Sequence, residues 1–104
     1  MKIKLNSHQR KYLRGLAHGL KPIVFVGQMG LTAAVEKALE EALDSHELVK
    51  IKFNDNKDKA FKRETLDLLE RSSGAAVVAM IGHTGIFYRP HPQEEKRRIQ
   101  LPSS

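Results

Sequence analysis

Among its 104 residues the chain has no cysteine and no tryptophan. Without cysteine there is neither a disulfide framework nor a thiolate metal site, and a reducing, cytoplasmic compartment suits such a sequence. No apolar run approaches the about 20 residues a membrane-spanning helix requires, so a soluble protein is expected. The start, "MKIKLNSHQRKYL", is positively charged but lacks the apolar segment of a secretory signal, and it is expected to be part of the fold. Catalytic signatures are missing too: there is no G-x-S-x-G elbow, no cysteine nucleophile and no H-E-x-x-H. The five histidines, His8, His18, His46, His83 and His91, lack ligand-like spacing. His83 reads as a hairpin residue and His46 as a cation at a helix end. Glu40 and Glu41 adjoin in sequence but do not share a helical face, so they make a poor carboxylate pair. A binding protein without metal or cofactor is expected, rather than an enzyme.

What is plentiful is positive charge. Eighteen Lys and Arg against twelve Asp and Glu give a net charge of +6 and a sequence pI near 9.8, which meets the basic criterion for a nucleic-acid-binding domain. The distribution is uneven. From Met1 to Lys21 there are six basic residues (Lys2, Lys4, Arg10, Lys11, Arg14, Lys21) and no acid, whereas Glu36 to Glu47 holds five acids and only Lys37. One side of the molecule should be positive and another negative.

Periodicity arranges these charges on elements. Asn6 or Ser7 can cap a first helix with Leu13, Leu16, Ala17 and Leu20 as its apolar stripe, ended by Gly19 and Pro22. "IVFV", Ile23 to Val26, is apolar on both faces and reads as a central, buried strand. Thr32 caps a second helix with Val35, Ala38, Leu39, Ala42 and Leu43 on one face. "VKIKF" alternates, with Val49, Ile51 and Phe53 inward and Lys50 and Lys52 outward. A third helix is predicted over about Lys59 to Ser73, with Phe61, Leu66, Leu68 and Leu69 as its apolar content and Gly74 as its stop. "AAVVAMI" reads as another central strand, and "GHTG" turns it back into "IFYR", with Pro90 ending the pairing. His91 to Ser104 is charged and proline-flanked, a tail expected to be solvated or loosely docked. The length suits one domain, with no internal repeat and no linker. The fold class is therefore α/β: a single domain of order α-β-α-β-α-β-β, its four-stranded mixed sheet packed with three helices.

The stretch "VGQMGLT" lies between the first strand and the second helix. Backbone N–H groups at such a corner lack intrahelical partners and the helix dipole is positive, so it suits a phosphate. Gly27 and Gly30 frame it, and they can equally be no more than a tight connection. Met29 breaks the dinucleotide pattern G-x-G-x-x-G, and the absence of Gly-Lys-Ser/Thr excludes a mononucleotide P-loop. A loop that holds a nucleic-acid backbone remains open, and so does one that holds a phosphorylated small molecule. Arg10, Lys11, Arg14 and His18 flank the apolar stripe of the first helix. Lys57, Lys59, Lys62 and Arg63 gather at the start of the third. Both clusters could share a surface with the glycine loop, or they could be merely solvated faces, while Glu36, Glu40, Glu41 and Asp44 would repel phosphate.

"LKPIVFVGQMGLT", "ALEEALDSHELVKIKF" and "IGHTGIFYRP", in that order, resemble the CRM domain (chloroplast RNA splicing and ribosome maturation), and more narrowly its stand-alone bacterial YhbY family. The likeness runs from about Leu5 to Arg89. It implies a fold similar to the C-terminal domain of translation initiation factor three, RNA as partner, and association with large-subunit precursors, hence 23S-type ribosomal RNA. It also implies that Gly27, Gln28, Met29 and Gly30 contact RNA. Met29 stands where the resemblance leads one to expect a polar residue, usually Asn or a basic one. With the charges, the expected RNA-binding set is Arg10, Lys11, Arg14, Lys21, the loop residues 27–30, Lys57, Lys59, Lys62 and Arg63. The domain is expected over residues 1–97 with a flexible tail at 98–104, and the protein is expected to be a monomer. A general RNA chaperone, or a splicing-type factor on another structured RNA, is the alternative.

Overall fold

Each of the three α-helices begins where a side chain can satisfy its orphan N–H groups. The computed structural model describes residues 3–54 and 58–103. Helix α1, Ser7–Ala17, opens on a reciprocal capping box: Gln9 N donates to Asn6 Oδ1 at 2.8 Å and Asn6 N to Gln9 Oε1 at 3.1 Å. Helix α2, Ala33–Ser45, is capped by Thr32, whose hydroxyl accepts from Val35 N at 3.2 Å. Helix α3, Lys59–Ser73, is capped by Asp58, which accepts from Phe61 N at 2.7 Å, and it stops at Gly74 in the left-handed region (φ 74°). No helix among the described residues is long and apolar enough to cross a membrane.

The strands are β1 (Val24–Val26), β2 (Leu48–Phe53), β3 (Ala76–Ile81) and β4 (Thr84–Tyr88), in spatial order β1-β2-β4-β3. β1 runs parallel to β2, and β4 pairs antiparallel with both β2 and β3. The hairpin therefore slots β4 between two strands that α3 connects. This order corrects the sequence reading of "IVFV" and "AAVVAMI" as central strands. Both are edges, and only β2 and β4 are interior. On β1, Val24 and Val26 are buried but Phe25 is half exposed, as is Ile23 just before the strand. An apolar run looks the same whether or not a helix covers its second face, and over this corner none does.

Helices α2 and α3 cover one face, where Leu39, Leu43, Leu66 and Leu69 meet Val24, Val26, Val49, Ile51, Phe53 and Phe87. The other face carries α1, whose Leu13 and Ala17 pack on Leu48, Val78, Ile86 and Tyr88. Several residues assigned to apolar stripes lie outside the core: Leu16 and Leu20, Ala38, and Leu68 are exposed.

The C-terminal segment is fastened rather than solvated. Ile99 and Leu101 pack against the α1-side core, and the Pro102 carbonyl accepts from Gln9 Nε2 at 3.0 Å. The buried Glu47 carboxylate accepts from the backbone N–H groups of His91 (3.0 Å), Arg98 (2.7 Å) and Ile99 (2.9 Å). Nothing local in "RRIQLP" signals this docking, because its partners stand some 50 to 90 residues earlier in the chain.

Candidate nucleic-acid interface

The glycine loop closes by Gly30 N donating to the Gly27 carbonyl at 3.0 Å, which lifts Gln28 and Met29 to the tip. Met29 is 82% exposed. The two glycines differ in kind. Gly27 has open space where a Cβ would stand and an ordinary φ. Gly30 sits at φ +70°, and a Cβ there would lie 2.6 Å from Phe61 Cζ on α3. Glycine at position 30 therefore serves the fold, and any side chain there, Asp included, would strain the loop against Phe61. The contact with Phe61 also joins the loop to the first turn of α3. Asn54 N donates to the Val26 carbonyl and Phe53 N to the His83 carbonyl, both at 2.8 Å. Loop, α3 start and hairpin tip thus form one end of the molecule.

The expected basic residues divide into committed and free ones. Arg10 Nη1 donates to the carbonyls of Val77 (2.5 Å) and Val78 (3.2 Å), where the β3 register shifts against β4 between Val77 and Ala79. Its role is to satisfy carbonyls at that irregularity. Lys62 is only 8% exposed; its Nζ donates to the Gly82 carbonyl at 3.0 Å and stands 3.3 Å from His83 Nδ1, latching α3 to the hairpin tip. Lys11, Arg14, Lys21, Lys59 and Arg63 are exposed. Lys57 lies outside the described residues.

Nor do the free cations all surround the loop. Lys59 and Arg63 start α3, but by helical geometry they fall roughly 160° round the axis from Phe61, on the flank away from the glycine loop. Lys21 precedes β1 while the loop follows it, so at least about 10 Å of strand separates them. On α1, Gln9 holds the C-terminal segment on one flank. Arg14 and His18 share Arg10's flank by helical spacing, and that flank faces the part of the sheet that α1 and the C-terminal segment leave open. Sequence reasoning did not pick out Lys52, an exposed cation on this same sheet face, although its outward alternation in "VKIKF" was the signal available.

The acids are held elsewhere. Arg89, at the far end of β4, pairs with Glu40 and with Asp44 (3.0 Å), and donates to the Ser73 carbonyl at 2.8 Å. These two α2 carboxylates are thereby fixed roughly 17 Å, the length of β4, from the glycine-loop end. Asp58, at the loop end, is spent on the α3 cap, and none of the four strands contains an acid. Glu36, in the first turn of α2, and Glu64, beside Arg63 on α3, are exposed acids toward this end. A cleft of about 710 Å³ lined by Leu16, Leu43, His46, Glu47 and His91 opens at the Arg89 end, so the glycine loop does not look into it.

The family model of the CRS1 / YhbY (CRM) domain matches residues 5–89. The chain belongs to this family. It is similar to an RNA-binding protein of Haemophilus influenzae, 41% identical over 98 residues and covering 94% of this chain and 95% of the relative. It is also similar to YqeI of Bacillus subtilis, named a probable RNA-binding protein, at 33% identity over 98 residues, with 94% and 99% covered. Among solved structures it resembles hypothetical protein SAV1595 of Staphylococcus aureus, described as a candidate RNA-binding protein. That match has a TM-score of 0.80 and 29% identity, and it covers 95% of this chain and all of the other. The family assignment rests on the family model, and the solved structure shares the fold.

Proposed function

We propose that this CRM-family protein is a cytoplasmic, monomeric, non-enzymatic RNA-binding protein that grips 23S-type ribosomal RNA in large-subunit precursors and assists their assembly. The observation that carries this reading is the exposed glycine-loop tip beside Lys52, on strands that hold no acid. An exposed glycine-loop tip and Lys52 share one end, with Lys59 and Arg63 on its farther flank, while Glu40 and Asp44 are neutralised by Arg89 at the other end. A polyanion is attracted to Lys52 and meets no acid on the strands beside it. Beyond the loop, the uncapped first N–H groups of α2 can donate to phosphate oxygens. The names of the relatives, which speak of RNA binding, agree with this.

Gradient sedimentation of a lysate, followed by crosslinking and sequencing of the bound RNA, tests the proposal. The protein should run with pre-large-subunit particles and crosslink to their ribosomal RNA. Recovery only at the top of the gradient removes the assembly role. Crosslinks confined to other structured RNAs would favour the general chaperone reading.

A further inference from the structure

On the α1 side of the sheet, one row of cross-strand partners is left uncovered at the glycine-loop end. Register pairs Phe25 with Lys52, Lys52 with Thr84, and Thr84 with Ile81, so these four side chains share that face in a line across all four strands. Phe25 is 51% and Ile81 54% exposed. Lys52 is exposed and, among the described residues, forms no ion pair or hydrogen bond, whereas its neighbour Lys50 is tied to the Leu20 carbonyl at 3.0 Å. Phe25 lies two residues before the glycine loop, and Ile81 adjoins the hairpin tip. A half-exposed aromatic ring on a rigid strand, next to a free ammonium and on a sheet face without acids, suits a ligand that is flat, apolar on its faces and negatively charged along its backbone.

We propose that Phe25 is a stacking platform for an unpaired RNA base, with Lys52 holding the adjoining phosphate and Ile81 extending the apolar floor. This rests on the RNA-binding reading above. It adds to it a site that reads bases rather than phosphates, and therefore a preference for unpaired over duplex RNA. Arg14 and His18 border this face from α1, so a strand lying over Phe25 would continue onto that helix.

The test is fluorescence-anisotropy binding of an unstructured RNA 12-mer and of the same 12-mer with abasic residues, which keeps the phosphates and removes the bases. Wild-type protein should bind the intact strand about tenfold more tightly than the abasic one, within the range base–aromatic stacking provides. Phe25→Ala should lose that difference while binding the abasic strand as before, and Phe25→Trp should restore it. Lys52→Ala should weaken both strands and lower the salt slope by about 0.7, one phosphate contact on a single strand. Phe25 is an edge residue with half its surface in solvent, so the variants should melt as wild type does. Equal binding of both strands by wild type, with Phe25→Ala unchanged, overturns the platform but leaves the RNA-binding reading in place. Wild type that binds neither strand overturns both. Concentration-dependent dimerisation that Phe25→Ala abolishes would make this face an interface between copies of the chain and would also overturn the platform.

Discussion

At the scale of single residues, a side chain's value to a ligand depends on whether the fold has already used it. Gly30 is used: its left-handed φ and its contact with Phe61 leave no room for a Cβ. Gly30→Ala should destabilise the domain by about 1–3 kcal/mol, the usual cost of a non-glycine residue in that region. Gly27 is not used in this way, so Gly27→Asp should fold normally while placing a negative charge in the loop. Near phosphate, that repulsion should weaken RNA binding on the order of tenfold. Melting curves and RNA titrations on the same preparations separate the two, and normal RNA binding by folded Gly27→Asp would reduce the loop to a connector. The cations divide by the same logic. Lys62→Ala removes the charged hydrogen bond to the Gly82 carbonyl and should cost about 1.5–3 kcal/mol of stability. Arg63→Ala, on an exposed face, should stay within about 0.5 kcal/mol of wild type and weaken RNA binding only. If the two variants melt alike, the latch is not contributing.

At the scale of elements, the C-terminal segment is held by one carboxylate. Burial pushes the Glu47 pKa up, but N–H donation from His91, Ile99 and Arg98 and the charge of Arg97 outweigh it and hold the group below its ordinary 4.5. A depressed folded-state pKa means that the stabilisation is fully present above 4.5 and is lost as the pH falls through the lowered value. The segment should therefore undock on acidification below that point. Its release would be read from faster amide exchange at Arg98 and Ile99, with Tyr88, which packs in the same cluster, reporting by near-ultraviolet dichroism. Glu47→Gln should exchange faster at neutral pH and lose the acid step. An acid step that survives in Glu47→Gln would assign it to another group. The same local view accounts for α1. Its capping box and apolar spacing were legible in "NSHQ" and in Leu13 and Ala17, but Arg10 could be told from Arg14 only once β3 lay beside it.

Across the whole molecule, Arg89 with Glu40 and Asp44 stands at one end of the strands and the glycine loop at the other. If about four phosphates of non-duplex RNA are neutralised, the log-log salt slope should be near −3, and affinity should fall roughly fiftyfold between 50 and 200 mM salt. A filter-binding series that stays flat would sink the electrostatic account. Glu40 and Asp44 belong to the opposite end and to the fold. Replacing them by alanine should lower the melting temperature through the loss of Arg89's partners while leaving RNA affinity unchanged or slightly higher.

The sequence by itself determined what depends on near neighbours: helix starts at Asn6 or Ser7, at Thr32 and near Lys59, the stop at Gly74, the alternation of β2, the hairpin at Gly82 and His83, and the net positive charge. Helix capping, side-chain periodicity and turn geometry act within a few residues, so a linear reading reaches them. Only the tertiary structure decided that β1 and β3 are edges, that Phe25 faces solvent, that Arg10 and Lys62 serve backbone carbonyls, and that Gly30 abuts Phe61. It also decided that Glu47 clasps a segment some 50 residues away. Each of these depends on which distant element covers a given face. An apolar or charged side chain carries no mark of the partner it will meet, because burial and hydrogen bonding are properties of the assembled surface.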